Sequence, residues 1–285
     1  MRLVRYLTGD VWGIGCEREG RVYPTGYTDM LDLIKDGSEG VARARKTADS
    51  SAAIDVDRLL APLRPGKIFG TGINWRTHVR ENPSFVVPDE PIVTFIKAAS
   101  AVIGPGDPIV LPPHDRVIKR PGGFHAAYEV EFGVVMGRPA RNIRQEEALD
   151  YVFGYTIFND VTAEAISSRG NNQLMLSKNF DTFCPMGPCI VTKDEIPVVA
   201  AAHLRCWVNG SLRQDAYLAD QISPPEVLIE WLTAVATLEP GDCITTGTPP
   251  GAEFWRTSPR WLQGGDVVVC KEDTIGELVN PVIGA

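Results

Sequence analysis

The chain has no apolar run approaching the roughly 20 residues that cross a bilayer. It has no C-x-x-C pair, no Gly-x-Ser-x-Gly and no excess of basic residues. Each gap excludes something. Without a long apolar run, no membrane span is expected. Arg2 and Arg5 stand near the start, but the apolar run of a signal peptide is broken at Thr8, Gly9 and Asp10, so none is expected. Cys16, Cys184, Cys189, Cys206, Cys243 and Cys270 are scattered. They read as reduced packing thiols of a cytoplasmic protein. Cys184 and Cys189 alone are a weak zinc signal. Without Gly-x-Ser-x-Gly, a serine-hydrolase reading has no support. The net charge of -8 and a pI near 5.1 argue against nucleic acid as a partner.

What is present fits one large domain, or one domain with a small appendage. Residues 11–16 and 21–23 read as a hairpin and residues 27–35 as a short helix; residues 36–51 are rich in Gly, Ser, Ala and charge. Pro62 and Pro65-Gly66 place a boundary near residue 65, giving a small N-terminal subdomain (1–65) and a catalytic domain (66–285). The second part is strand-rich. Its strongest strands span residues 128–136 and 151–158. Asn209-Gly210-Ser211 matches a glycosylation sequon but reads better as a hairpin turn. Helices are few. Residues 225–235 are the clearest, with Ser223 and Glu226 as a capping box. Val227, Leu228, Trp231, Leu232 and Val235 form the expected packing face. The class is α/β, mostly β.

Glu129-Val130-Glu131 heads an apolar strand, and residues i and i+2 of a strand face the same side. Asp160 ends the next strong strand. Spacing leaves two readings: a solvated strand face, or three oxygen ligands for a hard cation, Mg²⁺, Mn²⁺ or Ca²⁺. No His or Cys is paired with them, which disfavours zinc.

A series of ordered segments resembles the fumarylacetoacetate hydrolase family. They are Gly72-Ile73-Asn74-Trp75-Arg76-Thr77-His78-Val79-Arg80-Glu81, Ile103-Gly104-Pro105-Gly106-Asp107, Tyr128-Glu129-Val130-Glu131, Asn159-Asp160-Val161-Thr162-Ala163, Lys178-Asn179-Phe180-Asp181 and Thr245-Thr246-Gly247-Thr248-Pro249. The resemblance implies a rolled, mixed β-sheet, a homodimer, and Mg²⁺ or Mn²⁺ on Glu129, Glu131 and Asp160. It implies a small 2-oxo or β-diketo acid as substrate. Family members hydrolyse C–C bonds of β-diketo acids, decarboxylate oxaloacetate-like acids, or isomerise or hydrate related 2-oxo acids.

Roles follow from that setting. His78 and Glu81 lie at i and i+3, where Glu81 can orient His78 as a general base. Lys178 can stabilise a developing negative charge. Thr246, Gly247 and Thr248 can offer donors to a substrate carboxylate. Residues 80–90, with Pro83 and Pro88, look like a lid. Glu164 and Ser167 depart from the family pattern, which often has Arg and Gln there, and Phe254-Trp255 are added aromatics. The departures leave the substrate open. Hydrolytic C–C cleavage is the first expectation, with decarboxylation or isomerisation through the same enolate second. A silent metal-binding scaffold would be marked by loss of the dyad, and both members are present.

Overall fold

The computed structural model describes residues 1–81, 86–113, 125–167 and 173–284. Pro83 of the expected lid lies outside the described residues, as do the side chains of Ser167 and Trp255.

The expected hairpin is present as Val11–Arg18 and Arg21–Pro24. A strand not expected, Arg2–Thr8, precedes it and pairs along its length with Val11–Arg18. Its arginines interrupt the apolar pattern, so periodicity does not flag it. The stretch after residue 36 forms the helix Gly37–Ser50. It buries Gly40, Ala44 and Ala48, which are small residues at i, i+4 and i+8. A stripe of small residues gives little hydrophobic contrast, so the helix is hard to read from sequence.

Three central strands carry the main sheet: Val130–Met136, Val152–Asn159 and Cys184–Thr192, all antiparallel in that order. Every residue in them is buried, as near-continuous apolar runs should be when both faces are covered. Arg2–Thr8 pairs with Cys184–Thr192, so the N-terminal strands extend this same sheet. On the other side follow Cys243–Thr245, the parallel strand Ile68–Thr71, and Val93–Lys97. The boundary placed near residue 65 falls in the connector between Arg58–Leu60 and Ile68–Thr71.

Side chains alternate between two cores. Val130, Phe132 and Val134 join one, with Leu204, Cys206, Val268 and Leu278 of a second, five-stranded sheet. Val135, Phe153 and Ile190 join the other, with Met30 and Leu33 of the short helix Met30–Lys35 and Ala44 of Gly37–Ser50. Each large apolar side chain so buried contributes about 1.5–3 kcal/mol. Cys184 and Cys189 fall in opposite cores, which removes the zinc reading for that pair. All six cysteines are free and buried.

The hairpin at Asn209-Gly210 joins His203–Val208 to Ser211–Tyr217, with φ of 50° and 76° at the two turn residues. Two positive φ values in a two-residue loop select Asn-Gly. The helix Pro225–Val235 forms where expected, with two corrections. Pro224 is the N-cap, and no side chain caps it. Ser223 instead meets Asn74, which accepts from its amide and donates to its carbonyl. The buried face is Pro225, Leu228, Ile229, Leu232 and Thr233, whereas Val235 is 79% exposed.

Candidate active site

Glu129 and Glu131 flank the first residue of Val130–Met136, and Asp160 follows the last residue of Val152–Asn159. Val130 pairs with Asn159, so both chain ends meet at one sheet end. The junction is bonded twice. The Asp160 amide donates to the Glu129 carbonyl (2.8 Å), and the Glu129 amide donates to Asn159 Oδ1 (3.0 Å). As a result, one oxygen of each carboxylate lies within 4.8 Å of the others. Oxygen ligands at about 2.0–2.6 Å from a hard cation can be at most ~4–5 Å apart. The donor set and its span therefore fit a divalent cation.

Two lysines face the three carboxylates. Lys178 Nζ donates to Glu129 Oε2 (2.7 Å) and Asp160 Oδ2 (2.5 Å). Lys97 Nζ donates to Asp160 Oδ1 (2.6 Å) and the Phe183 carbonyl (2.7 Å). Lys97 is not flagged by the sequence. The available signal is its register with Phe95 on Val93–Lys97, a lysine on a buried strand face. Burial pushes Glu129 above the usual carboxylate range. Burial also pushes Glu131 well above it, reinforced by the charge of Asp160. Burial alone would raise Asp160, but Lys178 and Lys97 hold it below the ordinary value. Burial opposes the Lys178 charge, yet Asp160, Glu129 and Glu131 raise its pKa. Two buried carboxylates and the partly buried Glu129 thus lie beside two ammonium groups, which pair with Asp160 and Glu129.

The dyad stands on the short helix Arg76–Arg80, with Glu81 as its C-cap. His78 Nδ1 and Glu81 Oε2 are 2.6 Å apart. Glu81 Oε1 accepts from the Gly251 amide at 2.9 Å. The helix start is tied down by the Thr77 amide, which donates to Asp220 Oδ2 at 3.0 Å. Asn74 and Trp75 reach across to the loop after Cys243–Thr245. Asn74 Nδ2 donates to the Thr246 carbonyl (2.8 Å), and Trp75 Nε1 donates to the Gly247 carbonyl (2.9 Å).

That loop also meets the carboxylates. The Gly247 amide donates to Glu131 Oε2 at 2.9 Å. Its φ is 82°, and a Cβ there would lie 2.8 Å from the Gly72 carbonyl oxygen, so the position requires glycine. Thr246 Oγ1 accepts from Gln221 Nε2 (2.8 Å). Thr248 Oγ1 donates to the Val130 carbonyl (3.1 Å) and accepts from Gln214 Nε2 (2.8 Å). Gln214, on the second sheet, also accepts from the Val130 amide (3.0 Å). It carries no sequence signal, because it sits in a polar hairpin strand that reads as surface. Glu164, at the departure from the family pattern, has His125 Nδ1 3.4 Å from its Oε2. The His125 ring stacks on Trp261 with centroids 4.8 Å apart.

Comparisons with known proteins agree with the motif order. The family model for the fumarylacetoacetate hydrolase C-terminal domain matches residues 67–283. A Xenopus laevis protein named oxaloacetate tautomerase fahd2, mitochondrial, is 36% identical over 99% of this chain and 90% of its own length. The structure of a fumarylacetoacetate hydrolase from Exiguobacterium antarcticum superposes with a TM-score of 0.86 at 32% identity, covering all of both chains. The structure of maleylpyruvate hydrolase from Sphingobium sp. SYK-6, in complex with manganese(II) and pyruvate, gives 0.79 at 31% identity, again over all of both chains.

Proposed function

Since this chain belongs to the fumarylacetoacetate hydrolase family, we propose that it is a divalent-metal-dependent enzyme that interconverts keto and enol forms of a small 2-oxo diacid such as oxaloacetate. The observation that carries this reading is the placement of Gly247. Its amide holds Glu131, and its carbonyl holds the Trp75 indole at the head of the dyad helix. One residue therefore couples the oxygen cluster to the proton-transfer pair.

Glu129, Glu131 and Asp160 would hold Mg²⁺ or Mn²⁺; the manganese in the Sphingobium relative is the precedent for such an ion. A cation held there would supply Lewis-acid polarisation of the substrate carbonyl. The protein's own residues do the rest. His78, oriented by Glu81, takes or returns the proton at the carbon beside the carbonyl. Lys178 stabilises negative charge that develops on the substrate oxygen, and the enol O–H proton is exchanged with solvent water. Lys97 keeps Asp160 ionised. The Thr246–Thr248 turn receives the substrate carboxylate through Thr246, whose hydroxyl is positioned by Gln221, while the Gly247 amide and the Thr248 hydroxyl stay on Glu131 and the Val130 carbonyl. The enzyme would act as a homodimer in the cytoplasm, with a mitochondrial location as the alternative suggested by the Xenopus relative's name.

Hydrolytic C–C cleavage of a β-diketo acid is the second reading, favoured by the full-length likeness to maleylpyruvate hydrolase. His78 would then take its proton from water. The test is a paired assay with Mn²⁺. Loss of the oxaloacetate enol with an intact acylpyruvate supports the first reading. Cleavage of the acylpyruvate without acceleration of the tautomerisation replaces it with the second.

A further inference from the structure

Glu253 is fully buried, charged and outside the proposed chemistry. Its Oε1 accepts from the Tyr128 hydroxyl at 2.6 Å and pairs with the Arg213 guanidinium, while Oε2 accepts from the Arg260 amide at 2.7 Å. Arg256 Nε lies 3.4 Å from Oε1. Two of these neighbours meet at one carbonyl. Arg256 donates to the Gly251 oxygen from Nη2 at 3.2 Å and from Nε at 3.3 Å, and the single Tyr128 hydroxyl proton, mainly on Glu253 Oε1, is shared with the same oxygen at 3.2 Å. The amide of the same residue is the donor to Glu81. Gly251 has φ of 98°, and a Cβ there would lie 2.1 Å from the Arg213 carbonyl oxygen, so only glycine fits this close approach.

We infer that Tyr128 and Arg256, oriented by the buried Glu253, are positioning residues for the dyad. They fix the Gly251 backbone, whose amide sets the Glu81 carboxylate and through it the His78 ring. The inference rests on the reading of His78 and Glu81 as the proton-moving pair. A carboxylate clamped by its second oxygen can offer only one oxygen to His78, which selects one ring orientation and one tautomer. A buried carboxylate satisfied by four donors is an expensive element for a surface loop. Its use in holding one peptide explains why it is there.

The experiment is a double-mutant cycle on the full chain with Mn²⁺ and oxaloacetate. Tyr128→Phe removes only the hydroxyl. It should lower kcat roughly ten- to a hundred-fold, as misorientation of a catalytic group does. KM and the Mn²⁺ dissociation constant should stay within about two-fold, because binding groups are untouched. In a Glu81→Gln background the same change should have almost no further effect, because the residue it acts through is already lost. Arg256→Lys, which keeps a donor, should recover part of the loss seen in Arg256→Ala. Equal losses from Tyr128→Phe in both backgrounds would overturn the inference while leaving the dyad in place. Full turnover by Glu81→Gln itself would overturn the inference and the dyad reading together. If Tyr128→Phe does not fold, the Arg256 pair in the same two backgrounds separates the same outcomes.

Discussion

Lys178 bridges two of the three clustered carboxylates, 2.7 Å from Glu129 and 2.5 Å from Asp160. The ammonium therefore lies where it helps to neutralise the cluster and also where it opposes a second cation. Replacing Lys178 by Met removes that opposition. The variant should bind Mn²⁺ more tightly than the wild type, by titration calorimetry, because a like charge beside the site is gone. Its kcat should fall about a hundred-fold, because the charge developing on the substrate loses its partner. Weaker Mn²⁺ binding together with lost activity would assign Lys178 to holding the carboxylates rather than to the substrate.

The loop that joins cluster and dyad makes a separate demand. Gly247→Ala places a Cβ 2.8 Å from the Gly72 carbonyl at a φ of 82°. The backbone must shift, at a cost of about 1–3 kcal/mol. The Gly247 amide then leaves Glu131, and the Trp75 indole loses its acceptor. Thermal unfolding should move down by several degrees, and kcat should fall with it. A variant as stable and active as the wild type would show that the loop tolerates another path.

Acid should act on the Glu253 network. Burial pushes Glu253 upward, but Tyr128, the Arg260 amide and Arg213 outweigh it, and its pKa lies below the usual carboxylate value. A group depressed in the folded state contributes stability that is present above the unfolded-state pKa. That stability is lost as pH falls through the folded-state pKa. Asp266, held down by Arg260 and Asn209 against burial, behaves the same way. The contribution of Glu253 and Asp266 to stability, read as the difference in melting temperature from variants lacking each carboxylate, should therefore hold between pH 7 and about 5 and be lost below about pH 4. Glu253→Gln should start lower and show a shallower acid limb. An identical limb in both proteins would remove Glu253 from the account.

Much of the candidate site's geometry is legible in the sequence because it sits on regular elements. Glu129 and Glu131 share a side through the period of two, and Asp160 ends the adjacent strand. The strand pairing then closes the cluster. His78 and Glu81 need only one helical turn. What escapes is set by tertiary contact. Lys97 looks like the end of an apolar strand, and Gln214 like a surface residue of a hairpin, until folding brings each to the site. The helix Gly37–Ser50 escapes because its buried face is Gly40, Ala44 and Ala48. The face of Pro225–Val235 is misread because Trp231 and Val235 fit the pattern but point outward, 40% and 79% exposed.

The claim that the cluster, once metallated, turns over the enol of a 2-oxo diacid is tested most directly by following the decay of oxaloacetate enol. Wild type and Glu131→Gln should be compared with Mn²⁺ and with a chelator. The wild type should accelerate the decay at least about a hundred-fold over buffer with Mn²⁺ alone. The chelator and Glu131→Gln should each abolish that acceleration, with folding unchanged by circular dichroism. Acceleration that survives both the chelator and the loss of Glu131 would contradict the account.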